Sequence, residues 1–209
     1  MNKINSPFLI KQDFISPLLC EEIIELIDFN IPDTDIDGKP IKTVKHCDLA
    51  EEVLFEKIIE TVPDEIHSRY NSEYTGTEKL LFEWFSAGCD GEKPHSENSE
   101  YLRDKWVRVR PRDFTGILFL SSYVDTGSLD PYCEVYGGNL EFPQHGFNMQ
   151  PEMGTLVVFP SVPHFINATR SVSMGSLYQV RMHFGCKTPF LYNPEEFPGD
   201  YKTWLLEYI

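Results

Sequence analysis

A chain of 209 residues with 41% hydrophobic and 13% aromatic side chains can bury a sizeable core as one domain, which excludes a disordered tail. A formal charge of −15 disfavours nucleic acid phosphate and anionic membrane as partners. No apolar run approaches the ~20 residues that span a bilayer.

The N-terminus, MNKINSPFLIKQDF, lacks the uninterrupted apolar stretch of a secretory signal. Cys20, Cys47, Cys89, Cys133 and Cys186 form no CxxC pair. An odd number of scattered thiols suits a reducing, cytoplasmic compartment better than a disulfide framework.

Residues 1–16 read as a short strand and turn. From Pro17 to Phe29 the run PLLCEEIIELIDF reads as an amphipathic helix capped by Ser16, with Leu18, Ile23, Leu26 and Ile27 near helical spacing. Residues 30–48 are loop-like. A second helix is expected from Asp48 to His67, with Leu54, Ile58, Ile59 and Val62 inward and a break or kink at Pro63.

After residue 78 the pattern becomes short apolar runs between Gly, Pro, Asn and Asp: KLLFEWFS, TGILFLSSYV, GNLEFP, GTLVVFPS and GSLYQVRMHF. These read as strands. Helices followed by many short strands suggest a mainly β fold, a jelly roll backed by N-terminal helices. The expected organisation is a single domain: a helical support over 1–77, a β core over 78–186 and a C-terminal extension over 187–209. The last ten residues read as a short helix packed on the core. The segment SSYVDTGSLDPYCEVY reads as a long loop framing a pocket.

Arg103, Lys105, Arg108, Arg110 and Arg112 crowd into ten residues. One reading is a solvated stripe paired with neighbouring acids. The other is a rim that attracts an anionic substrate or cosubstrate.

His95-Ser96-Glu97, with His164 standing 67 positions after Glu97, carries the chemistry. Residues i and i+2 of an extended chain point the same way, so one segment can present an imidazole and a carboxylate together. Two imidazoles and one carboxylate on one face of a ferrous ion leave the opposite face open. Alone, an HxE pair is a weak motif. His145 reads as a turn residue, and His183 as a core or surface histidine.

The ordered segments give the motif its context. EWFSAGCDGEKPHSEN resembles the strand, turn and HxD segment of the 2-oxoglutarate/Fe(II)-dependent oxygenases, in their prolyl-4-hydroxylase-like branch. RDFTGILFLSSYVD, YGGNLEFP and MQPEMGTLVVFPSVPHF are similar to the elements that follow in that family. The resemblance implies a double-stranded β-helix (jelly roll, cupin-like) holding Fe(II) through His95, Glu97 and His164. It implies 2-oxoglutarate as cosubstrate, ascorbate as a further auxiliary, and O2. The activity implied is hydroxylation of an unactivated C–H in a prolyl or other residue of a peptide or protein, or in a small molecule.

Three positions depart from the pattern. Glu97 stands where the family carries Asp, with Asn98 and Glu100 nearby. Leu177 stands where the family carries the basic residue that pairs with 2-oxoglutarate. Arg181, on the same face by alternation, is the replacement candidate, and Arg170 is a second. Phe85 and Phe119 stand where some relatives carry tyrosines, and Thr115 is the candidate hydroxyl for the cosubstrate. The alternative is therefore a non-catalytic cupin-like module that binds a ligand or partner and has lost the cosubstrate. A metal hydrolase using the same ligands is a third reading, and the missing second carboxylate cluster argues against it.

Overall fold

The computed structural model describes residues 6–27, 31–125 and 133–191. The expected C-terminal helix and the centre of the 121–136 loop lie outside these residues.

The first part contains β1 (Leu9–Lys11), α1 (Pro17–Ile27), β2 (Thr43–Lys45), α2 (Asp48–Tyr70) and β3 (Tyr74–Thr77). There follow β4 (Leu81–Ser86), β5 (Glu92–His95), β6 (Ser99–Leu102), β7 (Lys105–Arg108) and β8 (Phe114–Phe119). The rest is β9 (Ser122–Tyr123), β10 (Glu134–Gly137), β11 (Leu140–Phe142), β12 (Phe147–Met149), β13 (Leu156–Pro160), β14 (Asn167–Thr169) and β15 (Val172–Cys186).

The chain alternates between two sheets, which is what makes a jelly roll. The larger, nine-stranded sheet runs β1-β13-β8-β15-β10-β9, with β4 and β3 also paired to β15 and β2 paired to β4. The smaller runs β12-β11-β14-β5. β4 lies in the first sheet and β5 in the second; β13 returns to the first, β14 to the second and β15 to the first. Phe159 of β13 meets Phe142 of β11 edge-on at 4.7 Å, which ties the two sheets together at one end.

The central strands β8 and β13 of the first sheet are buried on both faces, so their sequences read as near-continuous apolar runs. The outer face is covered by α2, where Tyr70 packs on Phe114 with ring centroids 4.6 Å apart. The Tyr70 hydroxyl also donates to the Pro7 carbonyl at 2.7 Å, tying α2 to the segment that enters β1.

α2 continues through Pro63 to Tyr70, against the expected break. Leu54, Ile58, Val62 and Ile66 form one fully buried stripe across the proline, and this packing keeps the helix continuous. Ile59 is only half-buried. α1 buries Cys20, Ile23, Ile24 and Ile27. Of the residues at helical spacing, Leu18 and Leu26 are exposed, because the buried stripe runs through Cys20, Ile24 and Ile27.

Of the basic cluster, Arg108 pairs with Asp113 at 3.0 Å and Arg112 forks onto Glu78, so those two belong to the stripe reading. Arg108 ends β7 and Arg112 follows it; β6 and β7 form a two-stranded hairpin whose turn residues Arg103 and Asp104 are both left-handed. Among the described residues no helix is long and apolar enough to cross a membrane.

Gly91 sets how closely β5 approaches β14. Its φ is +81°, and a Cβ there would run into the carbonyl oxygens of Thr169 and Arg170. Gly91→Ala should therefore cost at least about 2 kcal/mol from left-handed strain and displaced backbone. Urea denaturation checks this as a lowered midpoint at unchanged slope.

Candidate functional site

The inner face of the first sheet carries a row of side chains that sequence alternation places together. Along β15 these are Leu177, Gln179, Arg181 and His183. Opposite them stand Phe85 and Glu83 of β4, and Phe119, Ile117 and Thr115 of β8. The second sheet contributes Glu92 and His95 from β5, and Asn167 from β14. Glu97 lies two residues beyond the end of β5.

Arg181 is the centre of this interior. It is 3% exposed, and each of its three guanidinium nitrogens meets a different glutamate. Nε donates to Glu83 at 3.0 Å, Nη2 to Glu92 at 2.6 Å, and Nη1 to Glu97 Oε1. Lys42 of the segment before β2 adds a second cation, 3.1 Å from Glu83 and 2.5 Å from Glu92. Gln179 donates its amide to Glu83 at 2.6 Å.

Glu97 is 3% exposed and is held on all sides. Its Oε1 receives Arg181, the Asn167 side-chain amide at 3.2 Å and His95 Nε2 at 3.3 Å. Burial is the largest influence on this carboxyl and would raise its pKa. Arg181 and then His95 outweigh it, and the group stays well below the usual carboxylate range.

His95 Nδ1 lies 2.9 Å from the Lys93 carbonyl and Nε2 lies against the Glu97 carboxylate. Both partners are acceptors, which favours the protonated ring over the neutral one. Burial would lower the His95 pKa, but the hydrogen bond and charge of Glu97 outweigh it, so the pKa is raised. Three glutamates are thus balanced by Arg181, Lys42 and His95. Arg181 itself is raised well above its ordinary value: burial opposes its charge, and Glu83, Glu92 and Glu97 overcome that.

His95 and Glu97 therefore meet as the HxE spacing implies, while His164 does not complete a donor set with them. Among the described residues no three His, Cys, Asp or Glu side chains are grouped to hold a metal ion. His164 sits in a one-turn helix, Pro163–Phe165, ahead of β14, and its carbonyl accepts from His145 Nε2 at 2.9 Å. Burial and then the neighbouring His145 lower its pKa. The side chain that reaches the His95–Glu97 pair from the far strand is Asn167, which faces His95 in the β5–β14 ladder.

The cosubstrate candidates also have other partners. Arg181 is enclosed as described. Arg170 is half-exposed and clasps Glu141 through two nitrogens. Leu177 is fully buried, as are Phe85 and Phe119. Thr115 is bonded to Ser161 Oγ at 2.7 Å and His183 Nδ1 at 3.2 Å. His183, 1% exposed, is held neutral: burial pushes its pKa down to about 4.

The residues present do not fit a divalent cation as they stand. Both ring nitrogens of His95 lie against acceptors, and the Glu97 oxygen that faces the ring already receives Arg181, Asn167 and His95. The signal that sequence reasoning passed over was Glu83, a carboxylate inside an otherwise apolar strand, which requires a buried cation nearby.

No protein-family model matches the sequence, and no curated protein matches it. Solved structures do match in fold. A viral collagen prolyl hydroxylase from Paramecium Bursaria Chlorella virus-1, solved with 2OG, is 16% identical at a TM-score of 0.63, covering 88% of this chain and 98% of that one. The chain has the prolyl 4-hydroxylase fold. A Trichoplax adhaerens prolyl hydroxylase in complex with a hypoxia inducible factor peptide fragment gives 14% identity and a TM-score of 0.61, over 86% of this chain and 83% of that one. A Pseudomonas putida prolyl-4-hydroxylase gives 14% and 0.58, over 87% and 94%.

Two predictions follow from the charges. Arg181→Met leaves three buried or half-buried carboxylates short of a cation and should cost about 3–5 kcal/mol in urea denaturation. The second concerns pH. Below pH 6.5 the unfolded chain protonates His183, while the folded chain resists until about pH 4, so stability falls by about 3 kcal/mol as pH drops through that window. His95 has the opposite sign: its raised folded pKa contributes stability that is complete below 6.5 and lost as pH rises through the folded value. Urea midpoints measured from pH 4 to 9 should peak near neutrality. His183→Phe should flatten the acid limb and His95→Gln the alkaline one.

Proposed function

We propose that this chain is a non-catalytic binding module on the prolyl 4-hydroxylase fold, working through a ligand or protein partner and not through turnover of 2-oxoglutarate. The observation that carries this is the state of the buried cations. Arg181 is locked among Glu83, Glu92 and Glu97, and Leu177 is a fully buried aliphatic side chain. A dicarboxylate entering the barrel would bring more negative charge beside three glutamates and find no free guanidinium to fork onto. Freeing Arg181 for it would strand those glutamates in the interior at a cost of several kcal/mol.

The reading extends to compartment: the five cysteines are free thiols, which supports a reducing, cytoplasmic setting.

A specific observation keeps a second reading in view, an Fe(II)- and 2-oxoglutarate-dependent hydroxylase of a peptide or protein. His95 and Glu97 do lie side by side, and the fold is that of enzymes solved with 2OG and with a peptide. Anaerobic titration with Fe(II) and 2-oxoglutarate separates the two. The binding module gives no visible charge-transfer band at millimolar cosubstrate and releases no succinate under air. A band that disappears in His95→Ala, together with succinate release, would establish the hydroxylase.

A further inference from the structure

His183 ends the inner row of β15 and also lines a separate space, a cavity of about 260 Å³. The walls of that cavity are Thr75 and Thr77 of β3, Glu78 at the strand's exit, Pro111 ahead of β8, and His183 and Gly185 of β15.

Two features mark it as a built site. The first is an unpaired ring nitrogen. His183 is 1% exposed; its Nδ1 meets Thr115 Oγ1 at 3.2 Å, while Nε2 is buried and has no hydrogen-bond partner among the described residues. Buried ring nitrogens are normally paired, and a bare one carries a desolvation penalty. The second is the space itself. Neither Gly76 nor Gly185 has a left-handed φ, so backbone geometry does not demand glycine at either position. A Cβ on Gly185 would stand 3.3 Å from Thr75 Oγ1 and 3.6 Å from the Pro111 carbonyl oxygen, and one on Gly76 would meet nothing within 4 Å. The missing side chains keep the cavity open.

We propose that this cavity binds a small neutral polyol, of the size of a monosaccharide or cyclitol, whose hydroxyl gives His183 Nε2 the partner it lacks.

The lining selects that chemistry. The Thr115 hydroxyl, which also meets Ser161 Oγ at 2.7 Å, can donate or accept. Either tautomer of the neutral ring therefore fits, and Nε2 presents a lone pair in one and an N–H in the other. A ligand hydroxyl, donor and acceptor at once, satisfies both. The Thr75 hydroxyl and the Pro111 carbonyl offer further partners of the same kind. Charge selects as well. Arg112 forks onto the Glu78 carboxylate at 2.6 to 3.0 Å and offsets its charge, and no lining residue is a lysine or arginine that could anchor an anion. The walls are fixed in advance: the Glu78 N–H donates to the His183 carbonyl at 3.0 Å, and the Asp113 N–H to the Phe184 carbonyl at 2.8 Å. The volume lies just under the ~300–1,000 Å³ of drug-sized pockets, which suits a sugar-sized ligand better than a nucleotide.

Such a site deepens the binding-module reading, on which it rests for its use though not for its shape, by naming a class of ligand. The probes are myo-inositol, D-glucose and glycerol, with inorganic phosphate as the anionic control. Proton–nitrogen correlation spectra of the histidine rings, assigned with His183→Phe, should show the His183 nitrogens moving saturably with at least one polyol at millimolar concentration and standing still with phosphate. His183→Phe keeps a ring and removes Nε2, and by saturation-transfer difference it should bind that polyol at least about tenfold more weakly. Gly185→Val fills the space and should abolish the transfer.

Three results would overturn the proposal. One is His183 nitrogens unmoved by all three polyols, which leaves water as the occupant. Another is a shift with phosphate as large as with any polyol. The third is undiminished polyol transfer in a folded Gly185→Val chain. The wild-type titration decides the question even if a variant fails to fold. Each of these outcomes leaves the binding-module reading in place with a protein partner, whereas succinate release under air sinks that reading and leaves the polyol titration to stand by itself.

Discussion

One guanidinium shared by three glutamates organises the interior of this protein. Arg181 projects from the middle of the longest strand into a space that, in a barrel of this size, must be filled by side chains or by a ligand. Burying one charge costs several kcal/mol, and burying four is tolerable only if geometry and hydrogen bonding are nearly complete. They are: every guanidinium nitrogen has a carboxylate, and Glu83 and Glu92 are each further held by Lys42. Such a network is weak evidence for high stability, because a well-packed apolar interior would serve as well. Its consequence is directional. It sets β5 and the His95–Glu97 segment against β15 in one register, and it leaves the barrel charge-balanced without help from outside.

The jelly roll supplies an inward-facing row at each strand, and what sits on that row decides function. Here the row runs from Phe85 and Leu177, through Glu83, Gln179 and Arg181, to Thr115 and His183. Its apolar end closes by packing, its middle by ion pairs, and its far end by the Thr115–Ser161–His183 hydrogen bonds.

The strands were legible because period-2 alternation and turn residues are local signals: KLLFEWFS, TGILFLSSYV, GTLVVFPS and GSLYQVRMHF all became strands. The proximity of His95 and Glu97 was legible for the same reason. His164 lies in a one-turn helix three residues ahead of the distal strand, a turn that sequence periodicity does not reveal. With that turn in place the facing residue is Asn167. The alternation that put Arg181 on the inner face was correct, but its partners were not visible. Glu83 and Glu92 lie far from it in sequence, and only the sheet pairing brings them together. Pro63 misled in the opposite sense, since a long-range packing stripe overrode a local helix breaker.

The central claim is that the Arg181 guanidinium is immobilised as the interior cation. Nitrogen-15 NMR of the arginine side chains observes this directly. The account predicts, for one arginine assigned by Arg181→Lys, two resolved Nη resonances with protons protected from solvent exchange, and no change on adding Zn(II). A single averaged, rapidly exchanging Nη signal for Arg181, or one that shifts when Zn(II) is added, would contradict it.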